Sequence, residues 1–191
     1  LRRACKDFDG GYTMAGMTGS GSAFVVRDPN GIRPAYFYAN DEFVVIASEK
    51  PAIKTAFNID YSQIEEVKPG HALVIEKNGD FAQHSILKSG KKTSCSFERI
   101  YFSRGNDPDI YKERKQLGRL LVPQVLRAIN FDIKNTVFSY IPNTAETAFY
   151  GLMAGIEDYL INKQKDIIID QKPSVDSLED ILSFRPRIEK L

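Results

Sequence analysis

The chain is 191 residues long and 42% hydrophobic, enough to bury a real core in one large domain or two small ones. With 26 basic against 25 acidic side chains, no whole-molecule field attracts nucleic acid or an acidic membrane, so any site has to be local. The two cysteines, Cys5 and Cys95, are too few and too far apart for a disulfide scaffold and lack Cys-x-x-Cys spacing, a pattern that fits a reducing cytoplasm.

No stretch approaches the ~18 apolar residues of a membrane helix, and the opening LRRACKDFDGG lacks the apolar segment of a signal peptide. It begins with Leu1 rather than Met, which suggests a piece of something longer. The pattern predicts a helix end just before GGYTMAGM. Residues 12 to 87 then read as short strands, YTMAGM, SAFVVR, AYFY, EFVVIAS and HALVIEK, separated by the turns TGSGS, PNG, AND and KNGD. One helix interrupts them at SEKPAIKTAF, with Ser48 as its expected N-cap, Glu49 in the first turn and Pro51 near the start. LKSGKKTS, residues 87 to 94, is polar, basic and glycine-containing, and reads as a linker.

Beyond it the period lengthens. DIYKERKQLGRLLVPQVLRAI places Ile110, Leu117, Leu120, Leu121, Val125 and Ile129 mostly at helical spacings, with Pro123 as the expected kink. TVFSYI reads as a buried strand and TAETAFYGLMAGIEDYLI as a second amphipathic helix, so strand, short loop and helix open an α/β unit. A short helix signal follows at SVDSLEDILS.

Two loops raise a chemical question. In RDPNGIRP, residues 27 to 34, a tight turn is bracketed by Arg27 and Arg33. Two guanidiniums there either pair with carboxylates inside the domain or reach toward a ligand. In YIPNTAE, residues 140 to 146, a strand end meets a helix start. Backbone N–H groups in such a place suit a phosphate, although Asn143 and Thr144 are equally ordinary capping residues. His71 and His84 have no carboxylate or cysteine spacing that would make a metal site.

GGYTMAGM, FVVRDPNGIRPAYFY, FVVIASEKPAI, VKPGHALVI, CSFERIYFSRGND and FSYIPNTAETAFYGL resemble, in the same order, segments of amidophosphoribosyltransferase. The resemblance covers about residues 10 to 160. It implies an α+β, mostly β first part, the second half of an N-terminal-nucleophile (Ntn) hydrolase glutaminase over residues 1–92. The start of an α/β type I phosphoribosyltransferase domain then occupies residues 93–191. It further implies glutamine and phosphoribosyl pyrophosphate as substrates of the intact enzyme, magnesium with the latter, purine nucleotides as inhibitors, a homo-oligomer and a cytoplasmic location.

The family's nucleophile is a cysteine at the mature N-terminus, and no catalytic residue is expected in this chain. Cys5 reads as a structural thiol. The resemblance maps the pyrophosphate-side loop to Pro142, Asn143, Thr144, Ala145 and Glu146, and makes Arg27, Asp28, Asn30, Gly31 and Arg33 a structural turn. It puts Tyr101 and Arg104 where the family's two domains meet around an ammonia path, although Tyr101 equally reads as an ordinary core aromatic. Cys95 matches a position that ligates an iron–sulfur cluster in some members, but four thiolates are normally needed, so no cluster is expected here. The 191 residues alone are expected to be inactive. Two other readings stay open: a different Ntn-type glutamine amidotransferase, such as a sugar-phosphate aminotransferase, and a non-catalytic regulatory or scaffold relative.

Overall fold

β-branched and aromatic runs punctuated by Gly and Asn form antiparallel strands in the first part of the chain. The computed structural model describes residues 1–190 and separates two units, Leu1–Asp107 and Pro108 onward.

The first unit holds two sheets. β1 (Thr13–Met17), β2 (Ala23–Arg27), β6 (His71–Ile75) and β7 (Phe81–Ser85) form one, in the order β1-β2-β6-β7. β3 (Tyr36–Ala39), β4 (Val44–Ala47) and β5 (Glu65–Glu66) form the other, in the order β4-β3-β5. All pairs in both sheets are antiparallel. β2 is central, and Val25, Val26 and Arg27 at its end are all buried. β7, which the apolar pattern did not reveal, is mostly exposed and pairs with β6 through the Asn78–Gly79 turn. The hydrogen-bond ladder, rather than burial, makes it a strand. Cys5 sits on a 3-10 turn over Ala4–Asp7 and packs against Val26 and Ala72.

The helix α1 (Lys50–Phe57) begins one residue later than Ser48 would require, because Glu49 takes the extended N-cap conformation and its side chain makes no capping bond. Pro51 falls in the first turn, where its missing N–H has no partner to lose. Ile53 from this helix packs with Ile59 and Ile64 in a cluster of its own.

In the second unit α2 (Pro108–Ala128) continues through Pro123, and α3 (Glu146–Gln171) runs ten residues beyond the predicted Ile161. Their crossing is close because it is made at glycines: a Cβ on Gly118 would collide with the Ala148 carbonyl, and one on Gly151 with the Lys115 carbonyl. Val122 and Leu126 of α2 and Phe149, Met153, Ile156 and Leu160 of α3 join Ile133 and Phe138 in one buried cluster. The strand predicted over residues 136 to 141 shrinks to β8 (Val137–Phe138), whose only ladder among the described residues is the parallel pair with β9 (Arg187–Ile188). Phe138 is buried, but Val137 is 48% and Ile141 82% exposed. The apolar run there is therefore not a buried strand, since a single two-residue neighbour cannot cover both faces. α4 (Val175–Ser183) is capped by Ser174, whose hydroxyl accepts the N–H of Ser177.

Candidate functional site

The turn after β2 is a closed hydrogen-bond system. Arg27 is 1% exposed, yet its guanidinium donates to the Arg33 carbonyl at 2.7 Å, the Val67 carbonyl at 2.6 Å, the Gly31 carbonyl at 3.1 Å and Glu66 Oε1 at 2.7 Å. The Asp28 carboxylate, fully buried, accepts the N–H groups of Asn30, Ile32 and Arg33 at 3.0, 2.9 and 3.1 Å. Gly31 has φ +58°, and a Cβ there would stand 2.9 Å from Pro69 Cγ and 3.3 Å from the Arg27 guanidinium, so only glycine fits. Arg33 leaves the turn and pairs with the buried Glu98.

Glu66 receives Lys92 Nζ as well as Arg27, both at 2.7 Å. Burial pushes its carboxyl up, but the hydrogen bonds and charges of Lys92 and Arg27 outweigh that and hold it below the ordinary range. Lys92 belongs to the segment read as a linker. That segment is fastened back on the turn, with the Gly90, Thr93 and Cys95 N–H groups donating to the Pro29, Asn30 and Ile32 carbonyls.

The segment after Cys95 forms a π-helical turn over Glu98–Phe102, closed by the Ser103 N–H on the Glu98 carbonyl at 2.7 Å. Tyr101 is 61% exposed and stacks edge-on against Phe102. The Arg104 N–H donates to Glu49 Oε2 at 3.1 Å, and its guanidinium lies 3.7 Å from the same oxygen.

In the second unit, residues 142 to 145 turn between β8 and α3, and Glu146 is the first helical residue. Pro142, Asn143 and Ala145 are exposed, Thr144 and Glu146 half-buried. The Glu146 N–H donates to the Asn143 carbonyl at 3.2 Å and the Phe149 N–H to the Ala145 carbonyl at 2.9 Å. Two phenols close on the Glu146 carboxylate. Tyr140 and Tyr150 donate to the same atom, Oε1, at 2.7 and 2.8 Å. The bond from Tyr140, chiefly, and that from Tyr150 hold the Glu146 carboxyl below its ordinary range, and the Tyr140 phenol is pushed up to about 12 by the same bond. Glu146 and Tyr150 share the i, i+4 spacing of one helix face, a signal present in the sequence. Tyr140 had no such signal, because the turn brings it there.

Cys5 is 2% exposed and Cys95 half-buried. Among the described residues no three His, Cys, Asp or Glu side chains gather as metal ligands. The side chains present do not fit an iron–sulfur cluster, and the 142–146 loop offers a single carboxylate already bonded to two phenols. His71 Nδ1 lies 2.8 Å from the Pro69 carbonyl, and His84 stands opposite Ala72 in the β6–β7 ladder. A recess of about 480 Å³ lies between α3 and the end of α4 with the stretch after it, lined by Leu160, Ile161, Ile168, Leu182, Phe184 and Pro186. No helix among the described residues is long and apolar enough to cross a membrane.

No family model matches the chain. Curated relatives do. The amidophosphoribosyltransferase of Pseudomonas aeruginosa is 31% identical over 150 residues, 73% of this chain and 28% of the relative. That of Archaeoglobus fulgidus is 32% identical over 158 residues, 79% of this chain and 32% of the relative. Among solved structures, the glutamine phosphoribosylpyrophosphate amidotransferase from B. subtilis complexed with ADP and GMP superposes with a TM-score of 0.61 at 25% identity, covering 82% of this chain and 33% of that one. A structure described as the allosteric regulatory enzyme of purine biosynthesis gives 0.63 at 26%, covering 81% and 32%. The chain thus spans about three tenths of the length of the curated relatives it matches. Over about three quarters of its own length it belongs with the amidophosphoribosyltransferases, matching one segment of their longer chain.

Proposed function

We propose that this chain is part of an amidophosphoribosyltransferase, the enzyme of the first step of purine synthesis. Residues 1–92 are the C-terminal half of an Ntn-type glutaminase domain and residues 93–191 the N-terminal part of a type I phosphoribosyltransferase domain. Two units with separate hydrophobic clusters support a two-domain reading. Residues 93 to 107 pack with the first unit.

In the whole protein, glutamine is hydrolysed to glutamate and ammonia. The ammonia attacks C1 of the ribose of phosphoribosyl pyrophosphate, the C1–O bond to pyrophosphate breaks, and 5-phosphoribosylamine forms. Cys5 serves as a structural thiol and not as the glutaminase nucleophile, a reading that its 2% exposure supports. Residues 142 to 146 receive pyrophosphate through the N–H groups at the start of α3 and the Thr144 hydroxyl. Magnesium, when bound, neutralises part of the charge on the departing pyrophosphate. A homo-oligomer, purine-nucleotide inhibition and a cytoplasmic location belong to the same proposal.

One observation carries the reading: relatives and solved structures converge on a single enzyme, over a share of the chain larger than the first unit alone. The test is an assay of the natural open reading frame. Glutamate release that depends on phosphoribosyl pyrophosphate, with pyrophosphate as co-product, is expected. Glutamate release that depends on a sugar phosphate would instead favour another glutamine amidotransferase, and absence of both would favour a non-catalytic relative.

A further inference from the structure

The far half of α3 is apolar on more sides than its neighbours cover. Ile167, Ile168 and Ile169 are consecutive, and at about 100° per residue they point to three sides of the helix. Ile167 and Ile168 border hollows closed by the end of α4 and Phe184, but Ile169 stays 69% exposed, and Ile161, two turns back, 47%. A surface helix keeps its apolar residues to one covered stripe, so this one has a face without a cover.

Through Ile161 runs a stripe with a symmetric pattern. Ala154, Glu157, Ile161, Lys165 and Ile168 follow at spacings of three, four, four and three residues, which keeps them on one side of the helix. Counted outward from Ile161 in both directions, an acid matches a base and a small residue matches a large one. Glu157 and Lys165 are exposed, and both border the recess beside α4. They lie about 12 Å apart along the axis, too far to pair with each other, and neither makes an ion pair among the described residues. The neighbouring Asp158 is already held by Arg119 of α2 at 2.9 Å. Arg185, the other cation on the recess, donates to the carbonyls of Leu182 and Phe184.

We propose that this stripe is the docking surface for a second copy of the chain, packed antiparallel about a two-fold axis at Ile161. The axis sets Ile161 on its own counterpart, each Glu157 against the partner's Lys165 and each Ile168 over the partner's Ala154. A two-fold contact needs such self-complementarity, since one residue meets a second wherever the second meets the first. A parallel arrangement would instead set like charges together. The inference gives a face to the homo-oligomer proposed above and takes nothing from the enzyme assignment.

Sedimentation of the 191-residue chain over a dilution series reaching about 100 μM, enough to fill an interface of micromolar Kd, is expected to show a monomer–dimer equilibrium. Glu157→Lys alone and Lys165→Glu alone set like charges together, and each is expected to raise Kd about tenfold or more. Mixed in equal amounts, the two variants are expected to recover the dimer, because every charged contact in the mixed pair is then opposite in sign. A fold damaged by substitution would not recover on mixing. Ile161→Cys in a Cys95→Ser background is expected to form a disulfide between two copies under mild oxidation by diamide. Asp166→Cys, exposed on another side of the helix, is expected to form none. The same two cysteine variants are made in the natural open reading frame, where the glutamate-release assay reports on the enzyme assignment separately. A monomer throughout the series, or a dimer indifferent to both swaps, overturns the proposal. So does mixing without recovery, and so does a cross-link in the 191-residue chain that is absent from the natural open reading frame, which would show that another segment covers the stripe.

Discussion

Arg27 shows how a buried charge is tolerated: every direction its guanidinium faces ends on a carbonyl or on Glu66. Arg27→Ala would strand three carbonyls and leave Glu66 with Lys92 alone, and a loss of about 3 to 5 kcal/mol is expected by urea denaturation. Arg33→Ala should cost less, since Arg33 is 47% exposed, although it leaves Glu98 behind. Glu66 ties this system to pH. Its folded carboxyl lies below the ordinary 4.5, so the folded state binds fewer protons than the unfolded one. The stabilisation is fully present above about pH 4.5 and disappears as pH falls through the lowered folded value. Melting curves between pH 6 and pH 3 (roughly the range over which a paired glutamate titrates) should therefore fall less steeply for Glu66→Gln. An equal slope would remove Glu66 from the account. For Thr144 the proposed role predicts that Thr144→Val in the whole enzyme raises KM for phosphoribosyl pyrophosphate and leaves glutaminase chemistry largely intact. An unchanged KM would refute a part for the hydroxyl.

Among the elements, the α2–α3 pair has the sharpest constraint. Gly118 and Gly151 each face a backbone carbonyl of the opposite helix, and backbone cannot rotate aside as a side chain can. Gly118→Ala and Gly151→Ala gain helix propensity worth about 1 kcal/mol but force the helices apart. A net loss of about 1 to 3 kcal/mol is expected for each. Gly155→Ala meets the Val122 methyl at 2.6 Å, a side chain with some freedom, and should be milder. Thermal melts of the three variants rank these cases. A Gly118→Ala protein as stable as the parent would mean that the crossing has room for a methyl group. Gly155, four residues on, lies on the same face of α3 as Gly151 and meets Val122 of α2.

At the scale of the whole molecule, the proposed enzyme and the 191-residue chain differ in what they can do. Glutamine hydrolysis needs an accessible, activated thiol, and Cys5 is packed against Val26 and Ala72. The purified chain should release no ammonia from glutamine above a blank. Ammonia release that vanished in Cys5→Ala would contradict both the structural reading of Cys5 and the proposed place of the nucleophile. A thiol reagent gives a second readout: Cys95 should react in the folded state, whereas Cys5 should react only on unfolding. Prompt reaction of both thiols would show that the Cys5 cluster opens easily.

Period and punctuation alone were enough for β1, β2, β3, β4, β6, both long helices and the Ser174-capped α4, because each is written in residues adjacent along the chain. The order of motifs along the chain likewise pointed to the family that the comparisons report. β5, β7 and β9 were not legible: they are two-residue or exposed strands held by ladders to distant partners, and a ladder leaves little trace in local hydrophobicity. The same reason explains residues 136 to 141, where apolar content suggested burial but β8, paired among the described residues with the two-residue β9, stops at Phe138 and Ile141 is exposed. Sequence could say that Arg27, Arg33 and Glu146 were charged and near turns. It could not say that Glu66, 39 residues away from Arg27, would meet it, or that Tyr140 and Tyr150 would converge on one oxygen of Glu146. Side-chain pairing across a fold is set by where the backbone brings two residues in space, and only the tertiary structure decides that.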